Sequence, residues 1–358
     1  MAYTTIDDPE AHFQVEIYTG DGQENRGVVL SGDTDLPPDL VWIKNRDASN
    51  QAHVFYDRVR GATKRLLTNS TGGESTKSSG VQAFNADGFD VGNIGANNSN
   101  SVAYVSYNWK AGGTGSANTD GGTNTTATSA NTTAGFSINK WPGSSSSSVQ
   151  TVGHGLGVAP SWVLTKNTGS GSSITAWVNY HKGLDSSAAE DYLVYLNNTD
   201  ARTDNSVHGD TAPTANVFSF NTGSDDQDYI SYCWAQIKGF SKFGHYTGNG
   251  ANEGPFVYCG FRPSFVLVKR RSGTGNWQLA DFKRLGSTNF MPETLYPNSQ
   301  LDEQNEGDFD FLSTGFKLRS TGTDANGNGD QYIYMAFANA PTVNSKGIPV
   351  GGYSNTGA

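Results

Sequence analysis

Cysteine is nearly absent. Cys233 and Cys259 are the only two in 358 residues, too few for a disulfide framework, and both read as free, buried thiols. Basic charge is scarce as well: 24 Lys and Arg stand against 34 Asp and Glu, a formal net charge of −10. The cations form no run, which excludes a groove that neutralises nucleic-acid phosphates. Long apolar stretches are missing, so insertion in a membrane as a helix is excluded too. Residues 1–8 lack the basic and apolar regions of a signal peptide, and synthesis in a cytosol is the expectation. Charged residues make up only 16% of the chain, against roughly a quarter in ordinary soluble domains.

Small polar residues fill the space. Gly (44), Ser (36), Thr (34) and Asn (32) together supply about two residues in five. Aromatics reach 11%, far more than a disordered chain carries. Turn-tolerant residues between aromatic and β-branched blocks describe many short strands, not a helical bundle.

Five blocks recur three times in the same order, and such repetition is the first thing to seek in a chain of this length. The opening block runs from Phe13 to Gly20, from Phe136 to Gly143 and from Phe240 to Gly248. The next ends in Lys44, Lys166 and Lys269. A third carries Leu66, Leu193 and Leu295 ahead of Asn69, Asn197 and Asn298; a fourth carries Phe89, Phe218 and Phe316. The closing block starts at Tyr104, Tyr229 and Tyr332 and ends at Trp109, Trp234 and Phe337. Within it, residues alternate in the period of a half-buried strand. The reading is therefore all-β: three tandem β-sandwich, jelly-roll-like units with long polar loops. Their bounds are 1–110, 136–238 and 239–347, each expected to close its own core. Residues 186–191 are the only helix-like piece, one or two turns long.

Residues 111–135 contain no aromatic, Lys or Arg. They read as a flexible linker, or as a loop ordered only against a partner. No such spacer separates the second unit from the third, so those two are expected to pack together with the first set apart. Residues 348–358 read as a loose C-terminal tail.

Catalytic constellations are lacking. The six histidines, His12, His53, His154, His181, His208 and His245, are scattered, and no His-Glu-x-x-His pair occurs. The glycine-rich run 153–157 leads into no phosphate-cradling helix. Acids cluster at Glu303, Glu306, Asp308 and Asp310, and at Asp225, Asp226 and Asp228. A glycosidase needs two such acids facing a cleft, but acidic turns serve an anionic surface equally well. Asp324, Asn326, Asn328 and Asp330 match the first half of a calcium loop. The bidentate acid expected five residues further on is Met335, so a hairpin turn is the simpler reading and no cofactor is expected. The seven tryptophans recur at matched strand positions, as core residues do; Trp177 and Trp277 match only each other. A sugar-stacking role would favour aromatics peculiar to one unit. Loops that differ between units, 144–148, 169–173, 198–210 and 297–307, are the natural seats of binding specificity.

The run from Phe240 to Gly250, the segments 254–258 and 260–269, and the segments 311–319 and 332–341 resemble a repeated module of virion proteins from marine, cyanophage-like bacteriophages. The likeness is close over about 150–350 and reduces to the repeat skeleton in the first unit. It implies a non-enzymatic virion protein, assembled in the host cytoplasm and partnered by other virion proteins and by itself, as a homo-oligomer such as a trimer. A tail fibre or appendage touching a host glycan or receptor is the leading expectation. A capsid-decorating scaffold is the first alternative and a polysaccharide depolymerase the second.

Overall fold

The computed structural model describes residues 4–169, 174–285 and 290–338. The chain is an all-β protein of packed antiparallel sheets. The short β-branched and aromatic blocks become strands, and the Gly, Asn and Ser runs become the turns between them. Within 186–191 only Ala189–Asp191 turns, as a single 3-10 helix.

One strand order occurs three times. In the first module the opening strand Phe13–Thr19 pairs with the closing strand Ala103–Trp109. That strand pairs with Leu40–Asn45, and Leu40–Asn45 with Val54–Asp57. The middle module orders Phe136–Ser144, Asp225–Trp234, Trp162–Asn167 and Val178–His181 in the same way. The last module does so with Ser241–Thr247, Gln331–Phe337, Phe265–Arg270 and Trp277–Asp281. Smaller second sheets accompany these: Arg26–Val28, Phe89–Val91 and Val81–Phe84 in the first module, and Val149–Gly153 with Val217–Asn221 in the middle one. In the last, Phe256–Tyr258 pairs with Gly315–Leu318, followed by Gln304–Leu312 and Phe290–Thr294.

Registers match to the residue. Tyr18 lies opposite Tyr104, Trp141 opposite Tyr229 and Tyr246 opposite Tyr332. Each pair stacks, with centroids 5.1, 4.8 and 5.0 Å apart and planes within 18°. Such cross-strand aromatic pairs hold register because a one-residue slip would send both rings to opposite faces. The same register corrects one detail of the sequence pattern: Ser241, not Phe240, faces Phe337 as Phe13 faces Trp109. The last opening block carries one extra residue before its strand. Phe240 stays buried against Phe337 all the same.

The modules do not close separate cores, and the first is not set apart. One apolar cluster contains Phe13, Trp42, Phe55, Tyr107 and Trp109 from the first module. It also holds Phe136, Trp162, Trp177, Tyr232 and Trp234 from the middle module, and Phe265, Leu267, Trp277, Met335 and Phe337 from the last. Tyr104 and Tyr332, on the opposite face of their strands, belong to outer cores under the second sheets of the first and last modules. The main sheets are therefore buried on both faces, which is why Leu40–Asn45 and Trp162–Asn167 are buried at every position.

Residues 111–135 are not a free linker either. Ala127–Asn131 adds a strand beside Phe136–Ser144. Ser116 and Thr123 form bridges to Thr128 and Val152, and the Thr125 side chain sits buried under this flap. Its threonines and serines supply side-chain hydrogen bonds in place of apolar contacts, so hydropathy understates its order. Residues 348–358, read as a tail, lie outside the described residues.

Candidate functional site

Buried charged side chains gather at the joints between modules. Three backbone hydrogen bonds occupy matching places: Glu74 N to Thr168 O (2.9 Å), Arg202 N to Arg271 O (3.1 Å) and Glu303 N to Arg46 O (2.9 Å). Each acceptor lies two residues beyond a recurrent lysine. Lys166 donates to Thr175 O (2.7 Å) in its own module and to Thr71 O (3.1 Å) in the first. Lys269 donates to Gly275 O (2.6 Å) and to Thr199 O (2.9 Å) of the middle module. Lys44 donates to Asn45 O (2.6 Å) and Gln51 O (2.8 Å) and faces Asp302 and Glu303 of the last module. Burial lowers all three ammonium groups to about 8.

A second set of joints lies where the fourth strands end. Asp57 accepts from Arg60 (2.5 Å) and from the hydroxyl of Tyr232 (2.7 Å), a residue of the middle module. Asp281 accepts from Arg284 (2.5 Å) and from Tyr107 (2.8 Å) of the first. Glu74 joins Arg60 (3.3 Å), and Glu303 joins both Arg284 and Arg46. Register places His181 where the other modules have Asp57 and Asp281. Its Nδ1 accepts from Gly183 N (2.9 Å), so its Nε2 is the donor to Tyr334 O (3.2 Å) of the last module. Burial lowers its pKa to about 3, so it is neutral. Each of these carboxylates is paired with an arginine of the joint.

The acids singled out from the sequence are dispersed among internal partners. Asp225 accepts from Asn167 (2.6 Å) and Tyr229 (3.0 Å), Asp226 from Gln227 (3.3 Å), and Asp228 pairs with Lys140 (3.0 Å). Asp308, raised to about 6 by burial, accepts from Gln278 (2.7 Å) and Ser320. Glu306 accepts from Tyr296 (2.8 Å), and Asp310 pairs with Arg319 (3.3 Å). In the calcium-like loop, Asp324 takes the backbone and side-chain amides of Asn276, while Asp330 pairs with Arg270 (2.6 Å). Asn326 staples the turn to Asn249, Ala251 and Ser320, as Asn98 does to Asp21 and Gln23 in the first module. Asn328 is exposed. Among the described residues no group of three or more His, Cys, Asp or Glu is placed to hold a metal ion. Both cysteines are buried, which raises Cys233 and takes Cys259 to about 12.

Two of the loops read as seats of specificity are joints instead. Thr199 and Arg202 of loop 198–210 meet the last module, while Pro297 O accepts from Thr68 (2.5 Å) of the first. Of loop 144–148, Ser144 ends the strand Phe136–Ser144 and 145–148 form an exposed bend, and 170–173 lie outside the described residues. All seven tryptophans are buried. The indoles of Trp177 and Trp277 donate across joints to Leu67 O (2.8 Å) and Tyr195 O (2.9 Å).

Sequence reasoning passed over Phe256 and Tyr258. They alternate about buried Val257 on an edge strand and are 47% and 60% exposed. Val257 faces Phe316 as Val28 faces Phe89 and Val152 faces Phe218. The matching positions are therefore Gly27 and Val29 in the first module and Thr151 and Gly153 in the middle one, so the aromatics are peculiar to the last. The available signal was that two aromatics here replace small residues. Phe256 lies over Gly315, where an added Cβ would come within 3.0 Å of Phe256 Cζ and 2.1 Å of Val257 O. Lys317 stands opposite both Phe256 and Asp310. Glu253 binds Lys317 and Arg319 (2.8 Å). An open cleft of about 710 Å³ continues from there, lined by Asn252, Glu253, Asn305, Glu306, Asp310 and Arg319 among others. No curated protein matches the chain. Residues 8–341 match the family model described as a domain of unknown function, DUF7483, and the chain belongs to that family.

Proposed function

We propose that the protein is a non-enzymatic structural subunit of a bacteriophage particle, a tail fibre or appendage component that contacts the host surface. The observation that carries this reading is where the buried charge goes. Lys166, Lys269, Arg46, Arg60 and Arg284 bind across joints or neutralise the acids there. Interior polarity thus welds three sandwiches into one body without a disulfide, a design suited to a protein that must persist outside a cell. A rigid scaffold of this kind displays loops and sheet faces, and assembly in several copies multiplies weak contacts into avidity.

Gold-labelled antibody against the chain, applied to purified particles, tests the placement. Label at the tail tip is expected. Label over the shell moves the protein to a capsid-decorating role, and particles free of label overturn the virion assignment. Release of sugars from host polysaccharide by the purified chain overturns the non-enzymatic part.

A further inference from the structure

We propose that the outward face of the last module's second sheet is an oligosaccharide-binding site. Phe256 and Tyr258 form its stacking platform, and the cleft around Glu253, Asp310 and Arg319 supplies its hydrogen bonds. The inference deepens the adhesive reading above by naming its ligand class.

The argument starts from the cost of exposure. Among the described residues the other Trp, Tyr and Phe rings are buried or half-buried, yet these two stand in solvent on neighbouring positions of one strand face. Phe256 lies over a glycine that admits no side chain, so the ring is backed by the sheet. Aromatic faces of this kind accept the C–H face of a pyranose, burying apolar area while the sugar's hydroxyls stay at the rim. The hydroxyls then need a dense mixture of donors and acceptors. The cleft offers carboxylates from Glu253, Glu306 and Asp310, amides from Asn252 and Asn305, and a guanidinium from Arg319.

The two parts are collinear. Along Gly315–Leu318, Tyr258 faces Gly315 and Phe256 faces Lys317, and Arg319 follows at the cleft. From Gly315 to Arg319 is about 13 Å at the usual strand rise, room for an oligosaccharide rather than one ring. Opposed charges within the cleft, Glu253 with Lys317 and Arg319 and Asp310 with Arg319, suit a neutral or mildly acidic polyhydroxyl chain better than a strongly charged one. A protein partner would be expected to cover a broader apolar area than two rings beside a polar cleft.

The test uses the full-length chain on an array of immobilised neutral and uronic-acid-containing oligosaccharides, followed by titration calorimetry with the best-retained one. Wild-type protein should bind at least one class, Phe256→Ala/Tyr258→Ala should weaken that binding tenfold or more, and Glu253→Gln should weaken it several-fold. Val29→Ala, at the matched position of the first module, should change nothing. Unchanged melting temperatures establish that the variants fold. Absence of binding by wild-type protein at millimolar sugar overturns the site, as does equal binding by the double variant. If the double variant instead loses a virion-protein partner in a pull-down and no sugar binds, the face is a protein interface and the proposal fails. Binding is read on purified chain, so its outcome is independent of where label falls on the particle.

Discussion

One joint sets the first and last modules apart from the middle one. Where the fourth strand ends, the outer two hold a carboxylate, Asp57 or Asp281, locked by an arginine three residues on and capped by a neighbour's tyrosine. The middle module has His181 there and Leu184 in place of the arginine. Its carbonyls at Gly183 (2.7 Å) and Leu184 (2.5 Å) are satisfied by Arg271 from the last module. Both solutions give the joint's strand-end groups hydrogen-bond partners, one with a paired charge and one with a neutral ring and a borrowed cation. The position therefore demands hydrogen-bond closure, and charge is optional.

That contrast can be broken most severely at Arg284. Arg284→Met leaves Asp281 and Glu303 facing a buried site with their main cation gone, and should cost about 3–5 kcal/mol in chemical denaturation. The double exchange Asp281→His/Arg284→Leu, which imports the middle module's pair, should cost less than the single change. An equal or larger cost would sink the idea that closure, rather than charge, is what the joint requires.

Acid sharpens the comparison next. His181 titrates near 3 in the fold and His208 near 4, both below the unfolded value of about 6.5. Between those limits the unfolded chain binds the extra proton, so stability falls as pH drops below about 6.5, by up to about 1.4 kcal/mol per pH unit for each histidine. His181→Gln should flatten that slope by one histidine's share; an unaltered slope refutes the assignment. Asp308, raised to about 6, acts in the opposite sense, since its protonation between pH 6 and 4 favours the fold.

A smaller effect is expected from the indole bonds. Trp177→Phe keeps most of the ring volume and removes the donor to Leu67 O, a loss of about 1–3 kcal/mol by thermal or urea unfolding. The matching residue of the first module, His53, leaves Nε2 without a partner among the described residues, so that joint already lacks this bond. Least of all, Glu253→Gln should leave the melting temperature unmoved, because the side chain lies in solvent beyond the second sheet. A clear drop would mean that the Lys317 and Arg319 pairs carry stability rather than ligand contacts.

Much of the fold was legible because strand alternation and repeated spacing are local signals. The closing tyrosines, recurrent lysines and tryptophans were all identifiable as strand residues. The candidate site was less legible. Phe256 and Tyr258 escaped notice, since nothing in Phe-Val-Tyr says which face will be left uncovered. The loops at 198–210 and 297–307 look like variable tips, yet they are joints because their partners lie far away in sequence, 70 residues from Thr199 to Lys269 and 229 from Thr68 to Pro297.

By itself the amino-acid order determined the strand class, the tandem pattern and the aromatic positions, all of which follow from periodicity and side-chain volume within about ten residues. Only the tertiary structure decided that three modules share one core, that the glycine-rich flap at 111–135 is sheet-bound, and that two aromatics remain in solvent. Periodicity reports that a side chain must leave water but does not name the surface that covers it. That surface is assembled from segments that lie far apart in the chain, from about 60 residues within a module to more than 200 between modules.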